Sequence, residues 1–257
     1  GLITELTLRL RGQPEAISAG VCSFDTINQA VAAVIDTIQM GLPMARIEFI
    51  DAATVAAVNQ YSSAGLPELP HLLVEFHGSE AGVAEQSETF GLIVAEHDAH
   101  DFKWATQAED RSALWKMRHT AYYAVLASHP GAGAMVTDIC VPISKLADAV
   151  EQTSAEINQS SIAGPIMGHV GDGNFHAILM IDPEKPDDLK TAKDLSERMV
   201  TRALEMGGTA TGEHGIGVGK LDYMAREHGH GWTVMSSIKR ALDPQDIMNP
   251  GKLLRQN

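Results

Sequence analysis

Two histidines flank a predicted turn in the segment His169-Val-Gly-Asp-Gly-Asn-Phe-His176. Asp172–Gly173 supplies the positive φ angles of a tight turn, and the apolar segments Pro165–Val170 and Phe175–Ile181 predict its two strands. A turn centred there pairs residue 169 with residue 176, about 4.5–5.5 Å apart at Cβ and on one face. Two imidazoles so placed can share a divalent metal, and the alternative is a histidine pair on a solvated hairpin.

A second cluster lies in residues 207–220, where glycine recurs at positions 207, 208, 212, 215, 217 and 219. Such a run lets the backbone approach another group closely, because glycine has no Cβ. If the segment is extended, Glu213 and His214 point to opposite sides. Glu213 could then complete a two-histidine, one-carboxylate metal site, with His214 beside the metal as general base. A surface loop with an incidental Glu-His pair is the alternative. A phosphate-binding loop is disfavoured because the strand–Gly-x-Gly-x-x-Gly–helix context is missing.

Arg118 is a third candidate, on a helix predicted over Asp110–Ala127 and three positions after Trp115, so that the two side chains share a face. The planar guanidinium binds carboxylates through two parallel hydrogen bonds, so this side chain could hold a carboxylate ligand. The alternative is a solvated surface arginine.

These residues belong to motifs that resemble the C-terminal domain of FAD-linked oxidases, in the vanillyl-alcohol-oxidase-like group of flavoproteins. The three main motifs read His169-x-Gly171-Asp172-Gly173-Asn174-x-His176, Gly212-Glu213-His214-Gly215-Ile216-Gly217 and Leu242-Asp243-Pro244-x-x-x-Met248-Asn249-Pro250-Gly251-Lys252. Four others are similar to the D-lactate dehydrogenase (cytochrome) branch: Arg46-Ile47-Glu48-Phe49, Leu73-x-Glu75-Phe76-His77-Gly78, Leu114-Trp115-x-x-Arg118-His119 and Thr137-Asp138-x-Cys140-Val141-Pro142.

The resemblance implies a substrate- and metal-binding domain of a flavin-dependent dehydrogenase that oxidises D-lactate to pyruvate. His169, His176 and Glu213 would bind zinc or manganese, His214 would be the base, and Arg118 would bind the substrate carboxylate. Asn249 and Asn174 would contact the cofactor. FAD would be held mainly by an N-terminal domain that this sequence is expected to lack, so the chain alone is expected to be inactive. The strand predicted at Leu2–Leu10 would be its junction.

The substrate, the electron acceptor and the reaction class all have alternatives. The 2-hydroxyglutarate branch has a lysine where this chain has Val136, which favours a monocarboxylate. A glycolate oxidase or D-2-hydroxyglutarate dehydrogenase relative stays open, as do a metal-dependent hydrolase and a ligand-binding module from other classes. Electrons would pass to a cytochrome, a quinone or an electron-transfer flavoprotein.

Composition narrows the remaining possibilities. The chain has 257 residues and a formal net charge of -14, which disfavours nucleic acid as a partner. No run approaches the roughly 18–20 apolar residues of a membrane span. The two cysteines suit a reducing compartment, cytoplasmic or mitochondrial. A position peripheral to a membrane stays open, as does a homodimer.

Hydrophobic periodicity predicts an α+β fold of duplicated ferredoxin-like units, with a largely antiparallel sheet covered by helices. Residues 128–134 are the predicted boundary between the two halves of a domain spanning 1–257. The remaining predicted elements are strands at Ala45–Asp51, His71–His77 and Met135–Val141, and helices at Thr26–Gly41, Ala52–Ser62, Ala81–Ala95, Ile143–Gln159, Pro186–Met206 and Trp232–Leu242.

Overall fold

The computed structural model describes residues 2–10 and 12–254. The strands are β1 (Ala16–Ser23), β2 (Arg46–Ile50), β3 (His71–Gly78), β4 (His100–Ala105), β5 (Gly133–Val136), β6 (Ile139–Cys140), β7 (Ile166–Gly168) and β8 (Asn174–Ile181). The α-helices are α1 (Ile27–Gln39), α2 (Ala52–Ser62), α3 (Glu80–Glu96), α4 (Ala108–Ser128), α5 (Leu146–Asn158), α6 (Pro186–Glu205), α7 (Gly217–His228) and α8 (His230–Leu242). Short 3₁₀ turns occupy Ile143–Lys145 and Val170–Asp172.

The strands form one sheet in the order β4-β1-β3-β2-β7-β8-β5, with β6 also paired to β8. The first four strands, with α1 and α3, make a ferredoxin-like unit in which α2 is an addition between β2 and β3. β5 to β8, with α5 and α6, repeat the pattern, and the units join where β2 pairs antiparallel with β7. The predicted fold class is therefore confirmed.

The second unit ends differently from the first. In place of a fourth strand after α6, the described residues form a single bridge between Thr209 and Cys140. The chain then enters the glycine-rich segment and begins α7 at Gly217. That segment therefore lies beside β6 and close to the start of β8, because β6 pairs with β8 through Cys140 and Asn174.

Helices cover both faces of the sheet, and strand alternation sorts the core side chains between them. α1, α3, α5 and α6 pack on the face that carries Phe49, Phe76 and Phe175. α2 and α4 pack on the face that carries Ile50, Leu73 and Met167. His176 pairs with Met167 and so belongs to the second face.

The N-cap of α2 is a buried carboxylate. Oδ1 of Asp51 accepts a hydrogen bond of 2.8 Å from the backbone N–H of Thr54, which satisfies a donor that the first turn leaves free. Burial raises the pKa of Asp51 to about 6, against the opposing effect of this hydrogen bond.

Two sequence predictions about elements were wrong, and three further elements were not predicted. Leu2–Leu10 forms no strand, and its leucines are exposed, Leu10 by 87%. The alternation of polar and apolar residues suggested a strand, but no described strand pairs with this segment. The strand predicted at Met135–Val141 is broken into β5 and β6 at Thr137 and Asp138. β1, β4 and α7 were not predicted.

Candidate functional site

The hairpin that carries the two histidines has a different register from the predicted one. Met167, two positions before His169, pairs with His176. The 3₁₀ turn and a left-handed Gly173, with φ of 77°, replace the two-residue turn. Glycine is needed at 173 because a Cβ there would lie 2.0 Å from the carbonyl oxygen of Val141. His169 therefore lies beyond the end of β7, yet the two imidazole centroids are 6.0 Å apart.

Three potential metal ligands converge at this place. Oε1 of Glu213 lies 3.4 Å from Nε2 of His169 and 3.1 Å from Nε2 of His176. One ligand atom from each of the three residues lies within 4.8 Å of the other two. The predicted trio is thus brought together from the 3₁₀ turn, β8 and the glycine-rich segment.

The other nitrogen of each imidazole has its own partner. Nδ1 of His176 lies 3.0 Å from the carbonyl oxygen of Thr137, which can only accept, so Nδ1 carries the hydrogen. Nδ1 of His169 lies 2.6 Å from Oε1 of Glu48. In the neutral rings both Nε2 atoms then present lone pairs toward Glu213. This is the arrangement in which a histidine binds a metal while its second nitrogen is held by an acceptor.

The electrostatic environments of the two histidines differ. The hydrogen bond to Glu48 raises the pKa of His169. Burial lowers the pKa of His176 and outweighs the opposing hydrogen bond to Thr137. The buried ring of His176 is therefore the one held neutral.

Glu213 and His214 do not point to opposite sides, so that prediction was wrong. Nε2 of His214 lies 3.9 Å from Oε1 of Glu213, and its ring stacks on His176 at 5.0 Å with an interplanar angle of 5°. The segment is not extended here, because residues 212–214 form a bend, which is followed by a left-handed Gly215 with φ of 76°. Both side chains consequently reach the same site.

Asp138, which the chemical analysis of the sequence did not single out, lies under the glycine-rich segment. Its carboxylate accepts hydrogen bonds from the backbone N–H groups of Glu213 and His214, and from the side chains of Asn174 and Thr211. Burial acts to raise the pKa of Asp138, but the bonds from His214, Asn174 and Glu213 lower it overall. Asp138, His176 and His214 also place three possible ligand atoms within 4.8 Å of one another. The sequence feature that could have pointed to Asp138 is the Thr-Asp pair that interrupts a segment otherwise typical of a strand.

Arg118 and His169 share one buried carboxylate. Nη2 of Arg118 donates to Oε2 of Glu48 at 2.9 Å, and Oε1 of Glu48 holds His169. The Arg118 side chain is 12% exposed, and its Nε is buried without a hydrogen-bond partner among the described residues. A buried unpaired donor costs free energy unless a ligand or water satisfies it. Glu48, like Asp138, was not among the candidate residues.

Arg118 also shares a face of α4 with Trp115, as predicted. The indole N–H of Trp115 donates to the buried Glu75, and the guanidinium carbon of Arg46 lies 4.7 Å from the Trp115 ring centroid. A cavity of about 470 Å³ opens beside Glu48, His169 and Asp172, and its lining does not include Arg118, His176 or Glu213.

The three remaining sequence candidates are placed differently. Nδ2 of Asn174 donates to Oδ1 of Asp138 at 2.9 Å and to the carbonyl of Ile139 at 2.8 Å, while its buried oxygen has no partner among the described residues. Asn249 lies in an exposed turn after α8 with a left-handed φ of 52°. No hydrogen bond or ion pair within residues 12–254 joins Asn249 to the histidines. Val136 pairs with Ile178 on the sheet face that carries His176.

In the part of the chain that the structure describes, none of the helices is both long enough and apolar enough to cross a membrane.

The sequence of the chain is similar to those of FAD-linked oxidases. The profile of a family described as FAD linked oxidases, C-terminal domain, matches residues 13–253. The chain is 44% identical over 255 residues to a probable mitochondrial D-lactate dehydrogenase of Danio rerio, covering 99% of this chain and 51% of that protein. It is 41% identical over 255 residues to the mitochondrial D-lactate dehydrogenase [cytochrome] of Arabidopsis thaliana, covering 99% and 45%. The chain thus spans about half the length of the curated relatives it matches.

Among solved structures, the 4-ethylphenol oxidase from Gulosibacter chungangensis, in its isoeugenol complex, has a TM-score of 0.71. The match covers 96% of this chain and 55% of that chain, at 16% sequence identity. At this identity the likeness concerns the fold alone.

Proposed function

The chain belongs to the family of FAD-linked oxidase C-terminal domains, and on that premise we propose that it is the substrate- and metal-binding part of a D-2-hydroxy-acid dehydrogenase. The family resemblance drawn from the sequence motifs is confirmed. The substrate, the metal and the role of each residue are our proposal.

The observation that carries the proposal is the convergence of three lone pairs. Nε2 of His169, Nε2 of His176 and Oε1 of Glu213 face one another, and none of the three can donate when the rings are neutral. Facing acceptors repel unless a proton or a cation lies between them. The donor set of two imidazoles and a carboxylate suits zinc or manganese and leaves positions open for substrate oxygens.

A divalent cation bound by these residues would supply a Lewis acid that lowers the pKa of the substrate hydroxyl. Within the chain, His214 is the group proposed to receive that hydroxyl proton. Its imidazole is about half exposed, with Nε2 3.9 Å from Glu213, and its own backbone N–H is held by Asp138. A base in this position has access to substrate while its main chain is fixed.

Arg118 is proposed to bind the substrate carboxylate. Glu48 occupies one edge of its guanidinium and leaves Nε unpaired. Nε is buried, so the side chain would have to shift for a substrate carboxylate to satisfy Nε and form the paired hydrogen bonds that arginine makes well. Because Glu48 also holds His169, the substrate carboxylate and its hydroxyl would be bound by neighbouring parts of one network.

D-lactate is the proposed substrate, since the two relatives described above are named D-lactate dehydrogenases. Val136 offers no charge to a second carboxylate, which disfavours D-2-hydroxyglutarate.

The name of the Arabidopsis thaliana relative includes a cytochrome, which supports a cytochrome as the electron acceptor, ahead of a quinone or an electron-transfer flavoprotein. Both relatives are mitochondrial by name, which supports the same compartment here.

FAD would accept the hydride from the substrate α-carbon. Of the two asparagines predicted to contact FAD, Asn174 directs its amide N–H bonds at Asp138 and Ile139, and Asn249 lies in an exposed turn. We therefore propose that FAD is held mainly by the part of the enzyme that corresponds to the other half of the relatives.

Flavin reduction in the complete enzyme tests this proposal. D-lactate should bleach the flavin absorbance of the zinc- or manganese-loaded enzyme faster than L-lactate, glycolate or D-2-hydroxyglutarate does. His214→Asn should slow this step by about 10²–10⁴ while retaining the metal, since that is the usual cost of removing a positioned base. Metal-dependent hydrolysis with no bleaching by any 2-hydroxy acid would favour the hydrolase, and binding without reaction would favour a ligand-binding module.

A further inference from the structure

The buried carboxylate of Asp138 offers a second way to complete a metal site with His176 and His214. The two alternative ligand sets share His176 and differ in the carboxylate, Asp138 or Glu213, and in the second histidine, His214 or His169. The hydrogen bonds around each carboxylate distinguish them, and this inference rests on the proposed metal site.

The lone pairs of Asp138 are already used. Oδ1 accepts from Nδ2 of Asn174 at 2.9 Å and from the N–H of Glu213 at 3.2 Å. Oδ2 accepts from the N–H of His214 at 2.9 Å, from the N–H of Glu213 at 3.1 Å and from the hydroxyl of Thr211 at 3.3 Å. A carboxylate has about four acceptor positions, so binding a metal would require Asp138 to release one of these donors.

The carboxylate of Glu213 differs from that of Asp138 in both its exposure and its partners. Its side chain is 50% exposed, compared with 1% for Asp138. The partners of its carboxylate among the described residues are imidazole nitrogens alone, at 3.1 to 3.9 Å. Glu213 can therefore bind a cation without breaking another contact.

The backbone of the glycine-rich segment is shaped to lie on Asp138. A Cβ at Gly212 would lie 1.9 Å from Nδ2 of Asn174 and 2.7 Å from Oδ1 of Asp138, so a side chain at 212 would push the segment away. Lys220, in the first turn of α7, donates from Nζ to the carbonyl oxygen of Asp138 at 3.0 Å. Both ends of residues 211–220 are thus attached to the same aspartate.

We propose that Asp138 is a positioning residue, which fixes the main chain of Glu213 and His214 so that Glu213 completes the metal site, and that Asp138 does not bind the metal. The break between β5 and β6 gives this role a structural reason, because it frees Asp138 from the strand ladder. The carboxylate then serves as a template for a segment that has no strand of its own.

Amide hydrogen exchange of the metal-free full chain, measured by NMR, tests the anchoring directly. The amides of Glu213 and His214 should be protected in the native chain without any metal. Asp138→Asn should speed their exchange at least about tenfold, since it replaces an acceptor with a donor facing the same N–H groups. Glu213→Gln is the matched control, and should keep the protection while it loses the metal.

Cobalt-loaded protein then separates a positioning residue from a ligand. Asp138→Asn should weaken cobalt binding by about 10–100-fold, the usual effect of an outer-sphere partner, and leave the visible spectrum of the bound ion unchanged. If Asp138→Asn does not fold, Thr211→Val removes one donor to the carboxylate and should give a smaller increase in exchange at 213 and 214.

Unprotected amides at Glu213 and His214 in the native metal-free chain would overturn the proposal without recourse to any variant. A cobalt spectrum that shows a lost ligand in Asp138→Asn would also overturn it. Protected amides in a chain that binds no cation would instead contradict the metal site on which the inference rests, so the two failures are distinguishable.

Discussion

Oε1 of Glu48 lies 2.6 Å from Nδ1 of His169, and this short contact connects the proposed metal site to Arg118, the proposed substrate-binding residue. The other oxygen of Glu48 accepts from Arg118, and the Glu48 side chain is only 11% exposed. A buried carboxylate shared by two cationic or potentially cationic partners fixes the orientation of both. The two ends of a small 2-hydroxy acid would therefore be bound by side chains that cannot move independently.

Glu48→Gln should weaken zinc binding by about 10–100-fold, because the amide cannot hold the Nδ1–H of His169 and also neutralise Arg118. Competition with a chromophoric chelator measures the affinity. Glu96→Gln, at an exposed carboxylate at the end of α3, is the control and should bind zinc as the native chain does. Equal zinc affinities of the two variants would show that Glu48 does not support the metal site.

Gly212→Ala should displace the glycine-rich segment and abolish tight metal binding, because the new Cβ would overlap Nδ2 of Asn174. Gly219→Ala is the matched control, since a Cβ there meets no atom within 4 Å and the residue lies within α7. The control should bind metal normally and gain about 0.5–1 kcal/mol of stability, since alanine is the better helix residue. Zinc titration calorimetry and urea unfolding measure the two effects, and intact zinc binding by Gly212→Ala would contradict the close packing.

Much of the candidate site was predictable from the sequence: residue types and short spacings singled out both histidines, Glu213 and His214, and the family resemblance supported Arg118. The hairpin register was wrong, since a 3₁₀ turn was not distinguishable from a tight turn in a Gly-Asp-Gly-Asn run. Glu48 and Asp138 were not found, because their importance depends on partners 121 and 76 positions away in the chain.

The missed elements have equally local causes. β1 reads Ala-Ile-Ser-Ala-Gly-Val-Cys-Ser and lies between β3 and β4 in the sheet, so it shows no alternation of apolar and polar residues. Leu2–Leu10 does alternate and forms no strand. The pattern reports which side chains would share a face, and pairing with another strand is needed before such a segment becomes part of a sheet.

Asp51→Asn should stabilise the chain more as the pH rises from 4 to 7. Folding raises the pKa of Asp51 from 3.8 to about 6, so the folded chain binds this proton more tightly than the unfolded chain does. The native chain therefore has the full contribution of Asp51 to its free energy of unfolding below pH 3.8, and loses it as the pH rises through about 6. Asparagine keeps the N-cap and carries no charge, so the gain at neutral pH should be on the order of 2–3 kcal/mol. Urea unfolding across this range checks the difference against Glu68→Gln, which changes an exposed carboxylate. A gain that does not vary with pH would contradict the raised pKa.

Arg118→Lys in the complete enzyme should raise KM for D-lactate by roughly tenfold or more, because an ammonium group cannot replace the guanidinium edge. Zinc content should change little if Glu48 keeps its bond to His169. Steady-state kinetics and elemental analysis measure the two effects, with Arg198→Lys, a half-exposed arginine on α6, as the control. Unchanged KM and kcat would remove Arg118 from the substrate site.

The central claim is that His169, His176 and Glu213 form one cation site. Zinc titration calorimetry of the metal-free full chain at pH 8 tests it most directly. We predict about one zinc per chain, loss of binding in His169→Ala and Glu213→Gln, and retention in His214→Asn. No saturable binding by the native chain, or binding that survives Glu213→Gln but is lost in His214→Asn, would contradict the assignment.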